Sequence, residues 1–171
     1  MAKKITEKRL YNIALYYLSR YEATTGKVRD VLNRRLMTAE RRGDEVPDEA
    51  PAWIEKVISQ MVELGYIDNN RYAQNTFRRL TESGKSVRSI AYKLKQAGLE
   101  EDILSGLIDE QEMTSGELDL ASALKLVKKR KLGIYRPQSQ RAEYAQKDLA
   151  VLGRAGFSYE IAQKALKGEE D

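Results

Sequence analysis

Apolar side chains recur at helical spacing along almost the whole chain, and each run is soon closed by a glycine, a proline or a polar stretch. Strands would need alternation with period two, so this pattern predicts helices, and the frequent breaks rule out one long rod. The first run is Leu10, Ile13, Ala14, Tyr17, Leu18 and Tyr21, with Thr6 placed to cap its start. Val28, Val31, Leu32 and Leu36 follow a break at Thr24-Thr25-Gly26, and a polar stretch from Arg41 to Pro51 reads as a loop. Ile54, Val57, Ile58, Met61 and Val62 make the third run, and Gly65 suits a left-handed helix end. Asp68 is placed to cap the fourth, with Tyr72, Ala73, Thr76, Phe77 and Leu80. Val87, Ile90, Ala91 and Leu94 form the fifth, between Ser83-Gly84 and Gly98; Ile103, Leu104, Leu107 and Ile108 form the sixth. After a polar joint from Glu110 to Gly116 come Leu120, Ala121, Leu124 and Val127, ending near Gly133. Beyond Pro137 lie Ala145, Leu149 and Leu152 up to Gly156, then Ile161, Ala162, Ala165 and Leu166. Nine helices in groups of three is the simplest count.

The grouping finds support in an internal repeat. A shift of 58 residues sets Gly26-Lys27 on Gly84-Lys85, Leu32 on Ile90, Arg35 on Lys93 and Leu36 on Leu94. Applied again, it sets Leu94 on Leu152, Ala97 on Ala155, Gly98 on Gly156, Leu99 on Phe157 and Ile103 on Ile161. The glycine matches carry the most weight, because glycine marks a joint and does not fill a stripe.

Composition narrows the chemistry. The 171 residues contain no Cys and no His, which removes disulfides, thiolate chemistry, most structural zinc sites and the usual general base. Gly84-Lys85-Ser86 resembles the end of a phosphate-binding loop, but position 79 is Arg where that motif has Gly, and a helix precedes it instead of a strand. Glu100, Glu101 and Asp102 sit where a helix starts and offset its dipole. The chain is therefore expected to be a binder and no enzyme, with no cofactor and no metal. No apolar run is long enough to span a membrane, and the basic N-terminal residues lead into no signal-peptide core, so the expectation is a cytoplasmic protein, monomeric and without a membrane partner.

Net charge is only +4, so the placement of the cations matters more than their sum. Lys125, Lys128, Lys129, Arg130, Lys131 and Arg136 fall within twelve positions with no acid among them. Such a stripe can follow phosphates or meet an acidic protein surface, and it also suits the negative end of a helix. Arg29, Arg34 and Arg35 form a second set; Arg78, Arg79, Lys85, Arg88, Lys93 and Lys95 form a third, and the repeat matches the two sets through Arg35 and Lys93. Matching positions in a repeat protein fall along one side, which predicts a basic line; the alternative is that each cation answers a neighbouring carboxylate. Trp53 and the tyrosines at 11, 16, 17 and 21 are expected to supply bulk to cores and interfaces, with Tyr16 off the main stripe.

Three stretches together resemble the RecX family of bacterial regulators of the RecA recombinase. Leu64-Gly65-Tyr66-Ile67-Asp68-Asn69-Asn70-Arg71-Tyr72-Ala73 is similar to that family's LGYLDDERFA junction. Arg154-Ala155-Gly156-Phe157-Ser158-Tyr159-Glu160-Ile161 is similar to its RRGFSYEVI. Gly84 to Ile108 fits its middle module, with Ala97-Gly98 in place of Lys-Gly. Two departures are the long polar loop and Asn69-Asn70 where acids are usual. The resemblance implies three tandem three-helix modules in an elongated, curved arrangement: 6–67 with a loop across 37–51, 68–112, and 116–168. It implies a partner, the RecA filament on single-stranded DNA, and an effect, restraint of the recombinase in DNA repair, recombination and the SOS response. Contact with single-stranded or duplex DNA would be weaker. The residues expected at the partner or DNA surface are Arg34, Arg35, Arg78, Arg79, Lys85, Arg88, Lys93, Lys125, Lys128, Lys129, Arg130, Lys131 and Arg136. The competing reading is a direct DNA-binding protein of helix-turn-helix type.

Overall fold

The structure, a computed structural model, describes residues 4–169. Its regular elements there are all helical: α1 (Glu7–Leu18), α2 (Thr25–Arg41), α3 (Ala50–Glu63), α4 (Asn69–Glu82), α5 (Val87–Gln96), α6 (Glu101–Asp109), α7 (Ser115–Arg130), α8 (Gln138–Ala155) and α9 (Tyr159–Lys167), with a 3-10 turn at Gly133–Tyr135. The all-α expectation holds.

The helix ends lie where short-range chemistry puts them. The Thr6 and Thr24 hydroxyls accept the backbone N–H of Arg9 and Lys27 at 3.2 and 3.1 Å. Asp68 accepts that of Arg71 at 2.9 Å, and Ser86 that of Ser89 at 3.1 Å. Thr114 and Glu117 form a reciprocal capping box at the start of α7. At the end of α3, Gly65 N–H donates to the Val62 carbonyl and Tyr66 N–H to that of Met61, which closes the helix in a left-handed turn.

The chain folds as two compact units. The first runs to Tyr72 and takes in Ala97–Leu99; the second holds Ala73–Gln96 and the chain from Glu100 onward. In the first unit α1, α2 and α3 pack against one another around Leu10, Val28, Leu32, Ile54, Val57 and Met61. Thr24 both caps α2 and donates its hydroxyl to the Ala97 carbonyl. Asn69 accepts from the Thr25 N–H at 3.0 Å and donates to the Thr25 hydroxyl at 3.2 Å, so it supplies a donor that a carboxylate would lack.

In the second unit α7 packs on α9 and also on α5, while α8 packs on α9 and on the 3-10 turn. Its core holds Leu126, Val127, Leu132, Leu152, Phe157 and Ala165. Serving two neighbours widens the buried face of α7. Leu118, Ser122, Ala123 and Leu126 are buried with the expected Leu120 and Val127, whereas Ala121 and Leu124 are only half-buried.

Other expectations change. The α2 stripe continues through the buried Ala39, so helix replaces the first part of the 37–51 loop. Ala145 is exposed, because the fully buried part of α8 starts one turn later at Asp148. Tyr16 and Tyr21 face solvent; Tyr16 lies under Arg20, whose guanidinium is 4.6 Å from the ring centre. Ile5, ahead of α1, is wholly buried in the first core, and its N–H donates to the Glu45 carbonyl at 3.0 Å. Periodicity has no hold on a side chain outside a helix.

Ile5→Ala is therefore expected to destabilise the first unit by about 2–5 kcal/mol, read as a lower midpoint in urea unfolding. A surface residue at position 5 would leave the midpoint where it was.

Candidate functional site

The candidate site is cationic, and the structure separates cations that have partners from those that do not. Arg29 grips Glu55 with two hydrogen bonds of 2.6 and 2.8 Å. The Arg29 hydrogen bond holds the Glu55 carboxyl below its usual range, against a smaller opposing effect of burial. Arg34 turns its Nε to the Asp30 carbonyl and stays exposed; Arg35 is half-buried.

In the second unit Arg78 reaches Asn75 at 3.2 Å, while Arg79 and Lys93 are exposed. Asp119, on α7, accepts the Val87 N–H at 2.7 Å and so caps α5 from another helix. Burial pushes the Asp119 carboxyl up, and that hydrogen bond and the Arg88 charge pull it back. Arg88 thus serves as a local counter-charge. Lys125 lines a cleft of about 380 Å³ that it shares with Glu82 and Glu110.

Arg136 lies deeper than its place in a basic run suggested. Its guanidinium holds Asp148 through two bonds of 2.8 Å and stacks 4.4 Å from the Tyr144 ring centre. Asp148 is 2% exposed and also accepts the Gly133 N–H at 2.9 Å. The Arg136 hydrogen bond holds its carboxyl below the ordinary aspartate value, outweighing burial; the Gly133 bond adds to the effect. This pair fastens the 3-10 turn to α8.

The remaining cations gather at the end of α7. Lys128, Lys129, Arg130 and Lys131 are exposed in its last turn and cap, where positive charge offsets the carbonyl end of the helix. Arg130 lines a cleft of about 160 Å³ with Lys85, from the α4–α5 turn, and Arg154, from the last turn of α8. No carboxylate lines this cleft, and none of the three cations has an ion pair or a side-chain hydrogen bond among the described residues.

Two joints built on glycine hold the cleft together. Gly84 has φ +78°, and a Cβ there would lie 2.6 Å from the Leu126 Cβ, so only glycine lets the α4–α5 turn rest on α7. Lys85, next along the chain, lines the same cleft as Arg130. Gly156 has φ +99°, and a Cβ there would lie 2.3 Å from both the Ser86 and Ser89 hydroxyl oxygens. The Ala155 carbonyl before it accepts the Ser86 N–H at 3.2 Å and the Ser89 hydroxyl at 2.9 Å. The end of α8, with Arg154, is thereby pinned to the start of α5. Arg154 stood outside the expected set because no basic run contains it; the 58-residue repeat, which pairs Gly98 with Gly156, was the signal that its joint mattered.

Among the described residues no cluster of acids could hold a metal ion, and no helix is long and apolar enough to cross a membrane. No protein-family model matches the chain. It is 34% identical over 165 residues to the regulatory protein RecX of Myxococcus xanthus, covering 96% of this chain and 87% of that protein. It is 29% identical to RecX of Agrobacterium fabrum, covering 91% and 80%. The crystal structure of RecX from Lactobacillus salivarius superposes with a TM-score of 0.64 at 21% identity, covering 95% of both chains. A second crystal structure of a regulatory protein RecX gives 0.62 at 22%, covering 95% and 72%. At that identity the two structures speak for the fold.

Replacing Asp148 by Asn is expected to lower Tm by roughly 5 °C at neutral pH, because it weakens a buried two-point ion pair. The depressed carboxyl stabilises the fold above the usual aspartate value of 3.8, and that contribution is lost as pH falls through the lower folded value. The gap between the two proteins should close on acidification; thermal melts from pH 7 to pH 2 check both points.

Proposed function

The chain belongs to the RecX family of regulatory proteins, and on that premise we propose that it binds the filament of a RecA-type recombinase on single-stranded DNA and restrains its activity. Similarity to a RecX protein across nearly the whole chain carries this reading. The cations at the end of α7, with Arg79 and Lys93, support it: they are exposed and have no ion pair among the described residues, which leaves them able to meet acidic protein or DNA backbone on the filament. Arg34 and Arg35 in the first unit, and Arg78 and Lys125 in the second, join them as candidates, while Arg88 and Arg136 have internal work besides.

Regulation on this reading is by occupancy and charge, with no covalent step, carried out by a monomer in the cytoplasm. The division into three modules, 6–67, 68–112 and 116–168, belongs to the same proposal. A helix-turn-helix mode gains no support from α5, the second helix of the α4–α5 pair. Recognition helices reach bases with their N-terminal residues, and here Asp119 and the Ala155 carbonyl cover the start of α5.

Purified protein added at stoichiometric amounts to RecA, ATP and single-stranded DNA is expected to slow ATP hydrolysis and strand exchange. Unchanged rates would overturn the proposal. Reversing Lys128, Lys129 and Arg130 together to Glu is expected to weaken filament binding at least tenfold in a co-sedimentation assay; full retention would remove the basic surface from the reading and leave family membership untouched.

A further inference from the structure

In the second unit α6 packs on α5, and α4, α6 and α7 together line the cleft of about 380 Å³ that holds Lys125. Its floor is apolar: Phe77 and Leu107, each 6% exposed. Its rim carries both signs of charge. Glu82 of α4, Glu110 at the end of α6 and Lys125 of α7 are exposed there, and none of the three has an ion pair among the described residues. The Thr81 hydroxyl also lines the cleft, and it is the one buried side-chain polar group without a hydrogen bond among the described residues. A threonine inside a helix commonly returns its hydroxyl to the carbonyl four residues back, as Thr38 does to Arg34 at 2.7 Å. Thr81 does not, so a buried donor and acceptor stands unmet on the cleft wall.

We propose that this cleft is the anchor site for a tyrosine side chain on an exposed segment of a partner protein. An apolar floor under a polar rim is the build of the centre of a protein interface, where one buried aromatic carries much of the binding. A phenol ring covers Phe77 and Leu107, and its hydroxyl bonds to Thr81 as donor or acceptor; a phenylalanine would leave Thr81 unmet. Beside the ring, the carboxamides of Gln74 and Gln111 offer both donors and acceptors to the partner's backbone. The rim selects flanking residues of both signs, a cation for Glu82 and Glu110 and an anion for Lys125. A small-molecule cofactor fits less well, because such pockets are walled mainly by apolar side chains and here only two of the ten lining residues are apolar. A phosphate backbone is turned away by the two carboxylates. The site lies within one unit, and it goes beyond the filament reading without resting on it.

Titration of the isotope-labelled full chain, followed by NMR without recombinase, tests this. The probes are a blocked pentapeptide, Lys-Gly-Tyr-Gly-Glu, and its counterpart with phenylalanine at the centre. The tyrosine peptide is expected to shift the backbone amides around Thr81 and Leu107, and to bind about 3–10-fold more tightly than the phenylalanine peptide. Thr81→Val keeps the shape of the side chain and removes its hydroxyl. The ratio of the two affinities should then fall to about one, while Tm stays the same or rises, since no bond within the fold is lost. Glu82→Gln and Lys125→Gln should each weaken the tyrosine peptide about 2–3-fold and leave the ratio as it was. Equal affinity of the parent for the two peptides, the same preference kept in Thr81→Val, or shifts confined to other parts of the chain would each overturn the proposal. So would free phenylalanine binding as tightly as the tyrosine peptide, which would make the cleft a small amino-acid site. Because recombinase is absent, failure here leaves the filament reading standing, and failure of that reading leaves this result untouched.

Discussion

Three of the described helices are too short to hold themselves. Isolated helices below roughly 12–15 residues are marginal in water even with favourable sequences, and α5, α6 and α9 have ten, nine and nine. Each persists because a neighbour covers its apolar stripe, and α5 and α9 also because side chains cap their starts. Some ends are served locally, as at Thr6, Thr24, Asp68 and Thr114. Others are served from far along the chain. Asp119 caps α5, and the Ala155 carbonyl takes both the Ser86 N–H and the Ser89 hydroxyl. The need to finish short helices thus ties the joints of the second unit to one another.

That tying positions the charge. The α4–α5 turn lies on α7 because Gly84 carries no side chain, and the end of α8 lies on the start of α5 because Gly156 carries none. Lys85, Arg130 and Arg154 are the residues next to these contacts. A requirement of folding therefore leaves three cations lining one cleft that no carboxylate lines. The Asp148–Arg136 pair shows the opposite outcome a short distance along the sequence, where a buried acid consumes a cation to fasten the 3-10 turn.

The 58-residue spacing gains a physical sense from the same joints. Gly26, Gly84 and the pair Gly98 and Gly156 recur where one helix ends or begins against another. Repetition of a joint is more telling than repetition of an apolar stripe, because any two amphipathic helices share a stripe. Asn69 works at the same kind of joint: its amide serves Thr25 as donor and acceptor at once, which a carboxylate could not.

The helices, their order and most of their boundaries were determined by the sequence itself, since periodicity, caps and left-handed glycines act within a few residues. The family resemblance was legible for a similar reason, in the runs at Leu64–Ala73 and Arg154–Ile161. What only the tertiary structure decided is the company each side chain keeps. Ile5 is buried and Ala145 is not, Asp148 is buried against the 3-10 turn, and of the basic residues Arg136 is bound while Arg130 and Arg154 line one cleft. Val87 and Asp119 are 32 residues apart, and Ser89 and Ala155 are 66 apart. Pairings across such distances leave no periodic mark on the chain, because they depend on how whole helices pack and not on the residues beside them.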